Sequence, residues 1–296
     1  MRAPRLNING ILLLDKPIGL SSNSALQKVK RLFSAAKAGH TGSLDPLATG
    51  MLPICFGDAT KFSQYLLDTD KKYFVTMQLG IRTTTSDAEG EIVASKTVPD
   101  FNIQDINKAF DQFRGNISQI PSMFSALKHQ GKPLYFYARQ GIVIERESRP
   151  ITIYNLKVVS LNNHFVEFIV HCSKGTYVRT LVDDVGEKLN CGAHVTQLRR
   201  LTVGEYAEDQ MITLEQLENT DAAELAKYLI PIETTVNHLP EATLTPTMIF
   251  YLKQGQSIMS AQAKNPGMIR LLHQNREFAG LGEVIEGRIT PRRMVR

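Results

Sequence analysis

Apolar residues recur along this chain with two spacings, one close to two and one between three and four. The start, Gly10 to Leu14, is a short continuous apolar run and predicts a strand. The turn DKPIGLSS follows, and Ser21 or Ser22 can cap a helix that carries Leu26, Val29 and Phe33 on one face. A long loop punctuated by Gly and Pro, GHTGSLDPLATG from Gly39 to Gly50, leads to a predicted helix over Ala59 to Leu67. Between Lys72 and Leu79 the residues Tyr73, Val75, Met77 and Leu79 alternate onto one face, the pattern of a strand.

The helical spacing returns with Ile103, Ile106, Phe110 and Phe113, stopped by Gly115, and again from Leu134 to Gln140, stopped by Gly141. A period of two over Ile151 to Leu161 and over Phe165 to Cys172 predicts a hairpin around the turn NNH. The hairpin feeds the loop SKGTY and a helix to about Asn190, with Leu181, Val185 and Leu189 in register. Hairpins interrupted by helices point to an α+β domain rather than a regular βαβ array. From about Val236 the texture changes: Thr245, Pro246 and Gly255 bracket a short helix, and short strands with Gly turns follow. PIETTVNHLP has the composition of a linker, so two domains are expected, over 1–235 and 236–296.

Composition narrows the class. With 296 residues, 43% apolar and 21% charged, the chain can build a sizeable core in about two domains, which excludes disorder and small disulfide scaffolds. Apolar runs such as Ile11 to Leu14 are far short of the roughly 18 residues a membrane span needs, and the first ten residues hold two Arg without a signal-peptide core. A soluble cytoplasmic protein is expected. Cys55, Cys172 and Cys191 have no CxxC spacing and are expected to be reduced thiols.

The net charge of +5 is unevenly placed: residues 1–60 carry +4, residues 61–236 carry −3, and residues 237–296 carry +4. The tail GRITPRRMVR has four Arg and no acid. Two basic ends around a mildly acidic middle suit a surface that meets a polyanion twice, although scattered solvated charges give the same totals.

The loop Gly39 to Gly50 is the most unusual stretch. It lacks the GxxxxGK[ST] phosphate loop, and GxGxxG is absent from the chain. What remains is one carboxylate, Asp45, backed by Pro46 and presented between glycines, where a turn-capping role is the ordinary reading. Arg179, in the first turn of a helix with Asp183 at i+4, can form an exposed ion pair there or reach across to Asp45. Tyr73 opens an apolar strand face, and His40 belongs to the loop. His171, Cys172, Cys191 and His194 lack the paired short spacing of a zinc site.

Six ordered segments resemble the TruB-type tRNA pseudouridine synthases, the bacterial tRNA pseudouridine-55 synthase family. They are LLLDKPIGLSS, AGHTGSLDPLATGMLPICFGDATKFSQYLLDTDKKYFV, LGIRTTTSDAEG, PSMFSALKHQGKPLYFYARQG, HCSKGTYVRTLVDDVGEKLNCGAHVTQLRRL and GEVIEGRITPRRMV. They cover nearly the whole chain, and GHTGSLDPLATG alone is highly specific. Phe74 and Ser43 stand at positions that vary in the family.

The resemblance implies an α+β core with a mixed, largely antiparallel sheet flanked by helices, and a small β-rich PUA-like C-terminal module that binds RNA. It implies an isomerase that converts a uridine of the tRNA T loop, position 55, to pseudouridine. Asp45 matches the catalytic aspartate, Tyr73 the tyrosine that stacks on the extruded uracil, and Arg179 the arginine paired with the aspartate. Tyr177 and Leu198 match residues lining the base pocket, His40 the residue that enters the space left by the base, and Lys16 and Pro17 the motif that buttresses the pocket. No cofactor and no metal is implied.

The chemistry fits these residue types. The target base must flip out of a folded loop, at roughly a few kcal/mol of unstacking, and stacking on an aromatic ring returns about 1–3 kcal/mol. A carboxylate can then attack the anomeric carbon, take a proton at C2′ to give a glycal, or attack the pyrimidine ring, and the sequence leaves the three open. One rival is a non-catalytic RNA-binding protein or tRNA chaperone on the same fold, against which Asp45, Tyr73 and Arg179 together argue. A second is a nucleoside or glycoside hydrolase, which lacks a recognisable second carboxylate here. Guide-RNA-dependent relatives share the motifs but carry extensions that this chain lacks. A stand-alone, monomeric, tRNA-directed enzyme that needs neither guide RNA nor membrane is therefore expected.

Overall fold

The computed structural model describes residues 5–296. Its first strands are β1 (Gly10–Lys16), β2 (Ala38–His40), β3 (Thr49–Phe56), β4 (Lys71–Leu79), β5 (Ile81–Thr83) and β6 (Ile92–Ser95), with helices α1 (Ser22–Leu32) and α2 (Ser63–Leu67) between them. Helix α3 (Ile103–Asp111), β7 (Gly115–Gln119), the two-residue strands β8 (Lys128–His129) and β9 (Lys132–Pro133), and α4 (Leu134–Ala138) follow. The long hairpin is β10 (Arg149–Asn162) and β11 (Phe165–Cys172), and it leads to α5 (Val178–Lys188), β12 (Ala193–Val203), β13 (Ile212–Thr213) and α6 (Leu214–Glu218).

Nine strands form one sheet in the order β13-β1-β3-β12-β4-β11-β10-β7, with β2 added on β3. Only the β1–β13 and β3–β12 pairs are parallel. The sheet is therefore mixed and largely antiparallel, as the resemblance implies. Its middle is buried on both faces, which is why β1 reads as an unbroken apolar run. Leu12 and Leu14 join Ala25, Leu26 and Val29 of α1 on one side. Ile11 and Leu13 face the other way, toward Phe62, Leu66 and Val236. Each such burial stabilises by about 1.5–3 kcal/mol.

The sequence reading missed β3, which lies between β1 and β12 at the centre of the sheet. Pro53 masks it, since proline in a central strand argues against a strand. The extended loop is accordingly shorter than Gly39 to Gly50, because His40 pairs with Ile54 at one end and Thr49 with Arg199 at the other. The predicted helix Ala59 to Leu67 is broken into a 3-10 turn, Gly57–Lys61, and α2, with Phe62 buried between them.

The C-terminal stretch holds β14 (Glu241–Leu244), α7 (Pro246–Lys253), β15 (Ile258–Met259), β16 (Gly267–His273), β17 (Phe278–Ile285) and β18 (Arg288–Met294). Its five strands make a separate sheet, β14-β16-β17-β18-β15, with its own apolar cluster. Thr245 caps α7 through its side chain, Pro246 opens it, and Gly255 follows its end at φ +82°. The two parts touch where the Phe62 and Phe278 rings meet edge on, 5.4 Å between centroids. Lys61 Nζ also donates to the Met294 carbonyl at 2.9 Å. Among the described residues no helix is long and apolar enough to cross a membrane.

Candidate active site

Asp45 sits in the loop between β2 and β3, and three elements fix that loop through its backbone. At the first turn of α1, buried Ser22 Oγ accepts from Leu44 N at 2.7 Å and donates to Leu44 O at 2.9 Å. On the other side of the aspartate, Gly19 N donates to Pro46 O at 2.8 Å. The fully buried Lys16 at the end of β1 sends Nζ to Leu20 O (2.6 Å) and Pro17 O (2.9 Å), with Pro46 O at 3.5 Å. The turn DKPIGL is thus an internal brace for the carboxylate, and Pro17 acts through its carbonyl.

The loop closes on Gly50, where glycine is required. Its φ is +94°, and a Cβ there would lie 2.3 Å from the Arg200 carbonyl oxygen on β12.

Arg179 lies in the first turn of α5 but does not pair with Asp183, four residues on. Asp183 instead takes both Nε and Nη2 of Arg82 at 2.8 Å. Arg179 is only 6% exposed and turns inward. Its Nε forms an ion pair with Asp45 Oδ2 at 2.9 Å, its Nη1 donates to Thr85 O at 2.9 Å and to Asp87 Oδ2 at 3.3 Å, and its Nη2 donates to Phe124 O at 2.7 Å. Every nitrogen of the fork is used, so the guanidinium cannot swing away from Asp45 without stranding buried partners.

Asp87 is the partner that sequence reasoning did not single out. It is 2% exposed, and Oδ1 accepts from Thr85 Oγ1 at 2.5 Å and from Glu89 N at 3.1 Å. In the sequence TTTSDAEG it reads as an ordinary Asx turn. Its second role becomes visible only when the β5–β6 hairpin folds onto β12, where Ala88 N bonds Val195 O.

Burial raises the pKa of Asp45 above the ordinary carboxylate value; Arg179 opposes the rise, Asp87 adds to it, and Lys16 opposes it. Burial lowers the Lys16 ammonium to about 8, against the pull of Asp45 and Glu89. The carboxylate is half-open to solvent at 39%, so a substrate atom can reach it while its cations remain beneath.

Tyr73 is half-buried on β4, opposite Val170 of β11 and Arg200 of β12. Burial raises its phenol pKa, and Arg200 is the strongest influence opposing that rise. Leu198, 8% exposed and opposite Val75, belongs to the same apolar cluster as Leu44. Tyr177 caps α5 and is gripped by the Gln119 amide, which accepts from Tyr177 N at 2.8 Å and donates to Tyr177 O at 3.1 Å. Burial raises its phenol pKa, with Arg179 and Asp45 acting on it in opposite senses. His40 ends β2; burial lowers its pKa, and its Nδ1 is buried without a partner among the described residues. The side chains of Asp45, Arg179, Lys16, Tyr73 and Tyr177 therefore converge on one electrostatic neighbourhood.

His171 and His194 serve elsewhere. The His171 ring packs on Tyr154 at 4.9 Å, and His194 Nδ1 lies 3.0 Å from the Ile81 carbonyl oxygen. Cys172 and Cys191 are buried free thiols, as is Cys55.

Comparison with known proteins bears on this geometry. Residues 30–178 match the N-terminal domain of the TruB family pseudouridylate synthases, residues 179–237 the tRNA pseudouridylate synthase B C-terminal domain, and residues 240–295 the pseudouridine synthase II TruB C-terminal model. A tRNA pseudouridine synthase B of Coxiella burnetii (strain Dugway 5J108-111) is 55% identical, over 97% of this chain and 95% of the relative. That of Yersinia enterocolitica is 54% identical, over 98% and 91% respectively. Among solved structures, a Cbf5-Nop10-Gar1 complex contains a chain 25% identical, with a TM-score of 0.70 over 93% of this chain and 78% of that one.

Proposed function

From the membership of this chain in the TruB family of pseudouridylate synthases, we propose that it isomerises the uridine at position 55, in the T loop of tRNA, with Asp45 as the catalytic carboxylate. The coarser activity, conversion of a tRNA uridine to pseudouridine, is that of an isomerase and is the one its relatives are named for. The observation that carries the finer reading is the clamp on Asp45: a half-open carboxylate held at 2.9 Å by a buried arginine whose two other nitrogens are both hydrogen-bonded elsewhere.

In this reading the uridine flips out and stacks on Tyr73 while His40 enters the vacated space. Tyr177 and Leu198 line the base, and Lys16 and Pro17 brace the loop. Besides attack on the pyrimidine ring, two routes are open to Asp45: it bonds to C1′ as the N1–C1′ bond breaks, or it removes a proton at C2′ so that uracil leaves and a glycal forms. The freed uracil turns within the pocket and C5 bonds to C1′, which displaces Asp45 in the first route and is accompanied by return of the proton to C2′ in the second; the C5 proton is lost to solvent and N1 takes one up. All bonds broken and made lie within one substrate, so the balance needs no co-reactant. Arg179 holds Asp45 in one orientation and keeps it ionised.

The division into a catalytic part, 1–235, and an RNA-binding PUA-like part, 236–296, belongs to the same proposal, as does stand-alone action on tRNA without a guide RNA. A cavity of about 350 Å³ lined by Lys61, Lys253, Arg292, Arg293 and Arg296 lies at the junction and offers cations to the phosphate backbone. The test is to incubate the protein with unmodified tRNA transcript and map pseudouridine by carbodiimide-dependent reverse-transcription stops. A stop at position 55 is expected; stops only at other positions would overturn the assignment of the T loop.

A further inference from the structure

Among the described residues Arg200 is the largest fully buried side chain, at 2% exposure, and nothing in the reaction above uses it. A guanidinium stays charged inside proteins and only donates hydrogen bonds. Burying one with donors unmet is costly, so its placement calls for a reason. Its Nε donates to Met51 O at 2.6 Å. Nη1 lies 3.5 Å from where a Cβ on Gly42 would stand, two residues beyond His40. Nη2 is buried and has no partner among the described residues.

The residue directly across the sheet from Arg200 is Tyr73, a half-buried phenol. We propose that Arg200 is a positioning residue for Tyr73: its Nη2, unpartnered among the described residues, is the donor left to take the phenol oxygen as its acceptor, which fixes the ring and aims the hydroxyl hydrogen into the base pocket. The direction follows from the inventory of donors. Arginine accepts nothing, so the tyrosine oxygen must accept, and the O–H is left to point elsewhere.

Aimed at the pocket, that O–H matches a carbonyl oxygen of uracil, and the neighbouring cation makes it a stronger donor. The other groups facing the phenol cannot substitute. Cys172 of β11 is a thiol pushed up to about 12, hence neutral, and Asp45 is already paired with Arg179. On β4 itself Lys72 is exposed, and Lys71 Nζ is committed to the carbonyls of Leu66, Leu67 and Thr69.

The inference rests on the reading of Tyr73 as the residue that stacks on the base, but its test can be made on the protein without RNA. Tyrosine Raman spectra contain a Fermi doublet whose intensity ratio separates phenols that accept from phenols that donate, and the difference between the parent protein and Tyr73→Phe isolates this one residue. An acceptor-type ratio is expected, moving toward donor type in Arg200→Met and less so in Arg200→Lys. A donor-type ratio for Tyr73 in the parent protein overturns the proposal without any Arg200 variant, so a variant that fails to fold does not protect it.

With T-arm RNA, Arg200→Met should slow single-turnover isomerisation at least about tenfold with little change in affinity. Tyr73→Phe should then add less loss in the Arg200→Met background than alone. Full additivity in folded variants also overturns the proposal. Failure of the catalytic reading itself would appear separately, as retained activity in Asp45→Asn with the spectrum unchanged.

Discussion

Arg179 is shared by two carboxylates: its Nε is paired with Asp45 Oδ2 at 2.9 Å, and its Nη1 donates to Asp87 Oδ2 at 3.3 Å. Asp45 is open to a substrate, whereas Asp87 is buried and held by its own turn. The same cation therefore orients one carboxylate from a rigid footing on the other.

This arrangement fixes the sign of a pH effect. Asp45 has its pKa raised by burial, and Arg179 is the largest influence holding it down. Activity that needs the carboxylate is lost as pH falls through that pKa. Arg179→Ala should therefore move the acid limb of the single-turnover rate to higher pH, besides lowering the plateau by orders of magnitude. An acid limb that stays in place would show that Arg179 does not control the ionisation of Asp45.

Asp87→Asn should move the same limb the opposite way, because Asp87 raises the Asp45 pKa. The substitution also removes an anion from a buried pair, and a stability loss of about 3 kcal/mol is expected in denaturant melts. A shift in the same direction as Arg179→Ala would contradict the assignment of the two roles.

The brace behind the loop is separable from the chemistry. Lys16→Met removes an ammonium bonded to the Leu20 and Pro17 carbonyls and also takes a cation away from Asp45. The expected result is a loss of about 1–3 kcal/mol in stability and an acid limb moved up, by less than in Arg179→Ala. Gly50→Ala, which drives a Cβ against the Arg200 backbone, should cost at least about 2 kcal/mol. Urea melts and pH–rate profiles on both variants check these outcomes.

At the C-terminal module, simple truncation would uncover Phe62, which packs on Phe278, so charge removal is the cleaner experiment. Arg292 is already paired with Glu283, whereas Arg293 Nη1 bonds only the Arg292 carbonyl and Lys253 is exposed. Removing both in Lys253→Ala/Arg293→Ala should weaken tRNA binding and reduce the slope of log K against log salt by about 0.7–0.9 per lost phosphate contact. The isomerisation rate at saturating RNA should persist. An unchanged slope would remove this surface from the RNA interface.

Much of this site could be read from the sequence, and the residues that could not be read share a cause. The alternation of Tyr73, Val75, Met77 and Leu79 marked β4, and the Ser21 cap and apolar face of α1 were legible because both are local patterns. Strand β3 was hidden by Pro53, although Pro53 sits mid-strand between β1 and β12. Arg179 had two readings because local spacing favours Asp183; the competing partner Arg82 comes from a distant hairpin. Asp87 and Arg200 carry no local signal, since an Asx turn and a doubled arginine gain their meaning only from β5–β6 folding over β12 and from β12 lying beside β4.

The most direct test of the catalytic reading is the single-turnover rate of pseudouridine formation by Asp45→Asn on T-arm RNA, with binding measured by filter retention on the same preparation. The amide preserves shape but cannot act as nucleophile or base. The account predicts a rate lower by many orders of magnitude, with folding and RNA affinity near those of the parent protein. Pseudouridine formation at about a tenth of the normal rate or more would contradict it, because an effect of that size is what loss of a single neutral hydrogen bond of roughly 1 kcal/mol produces.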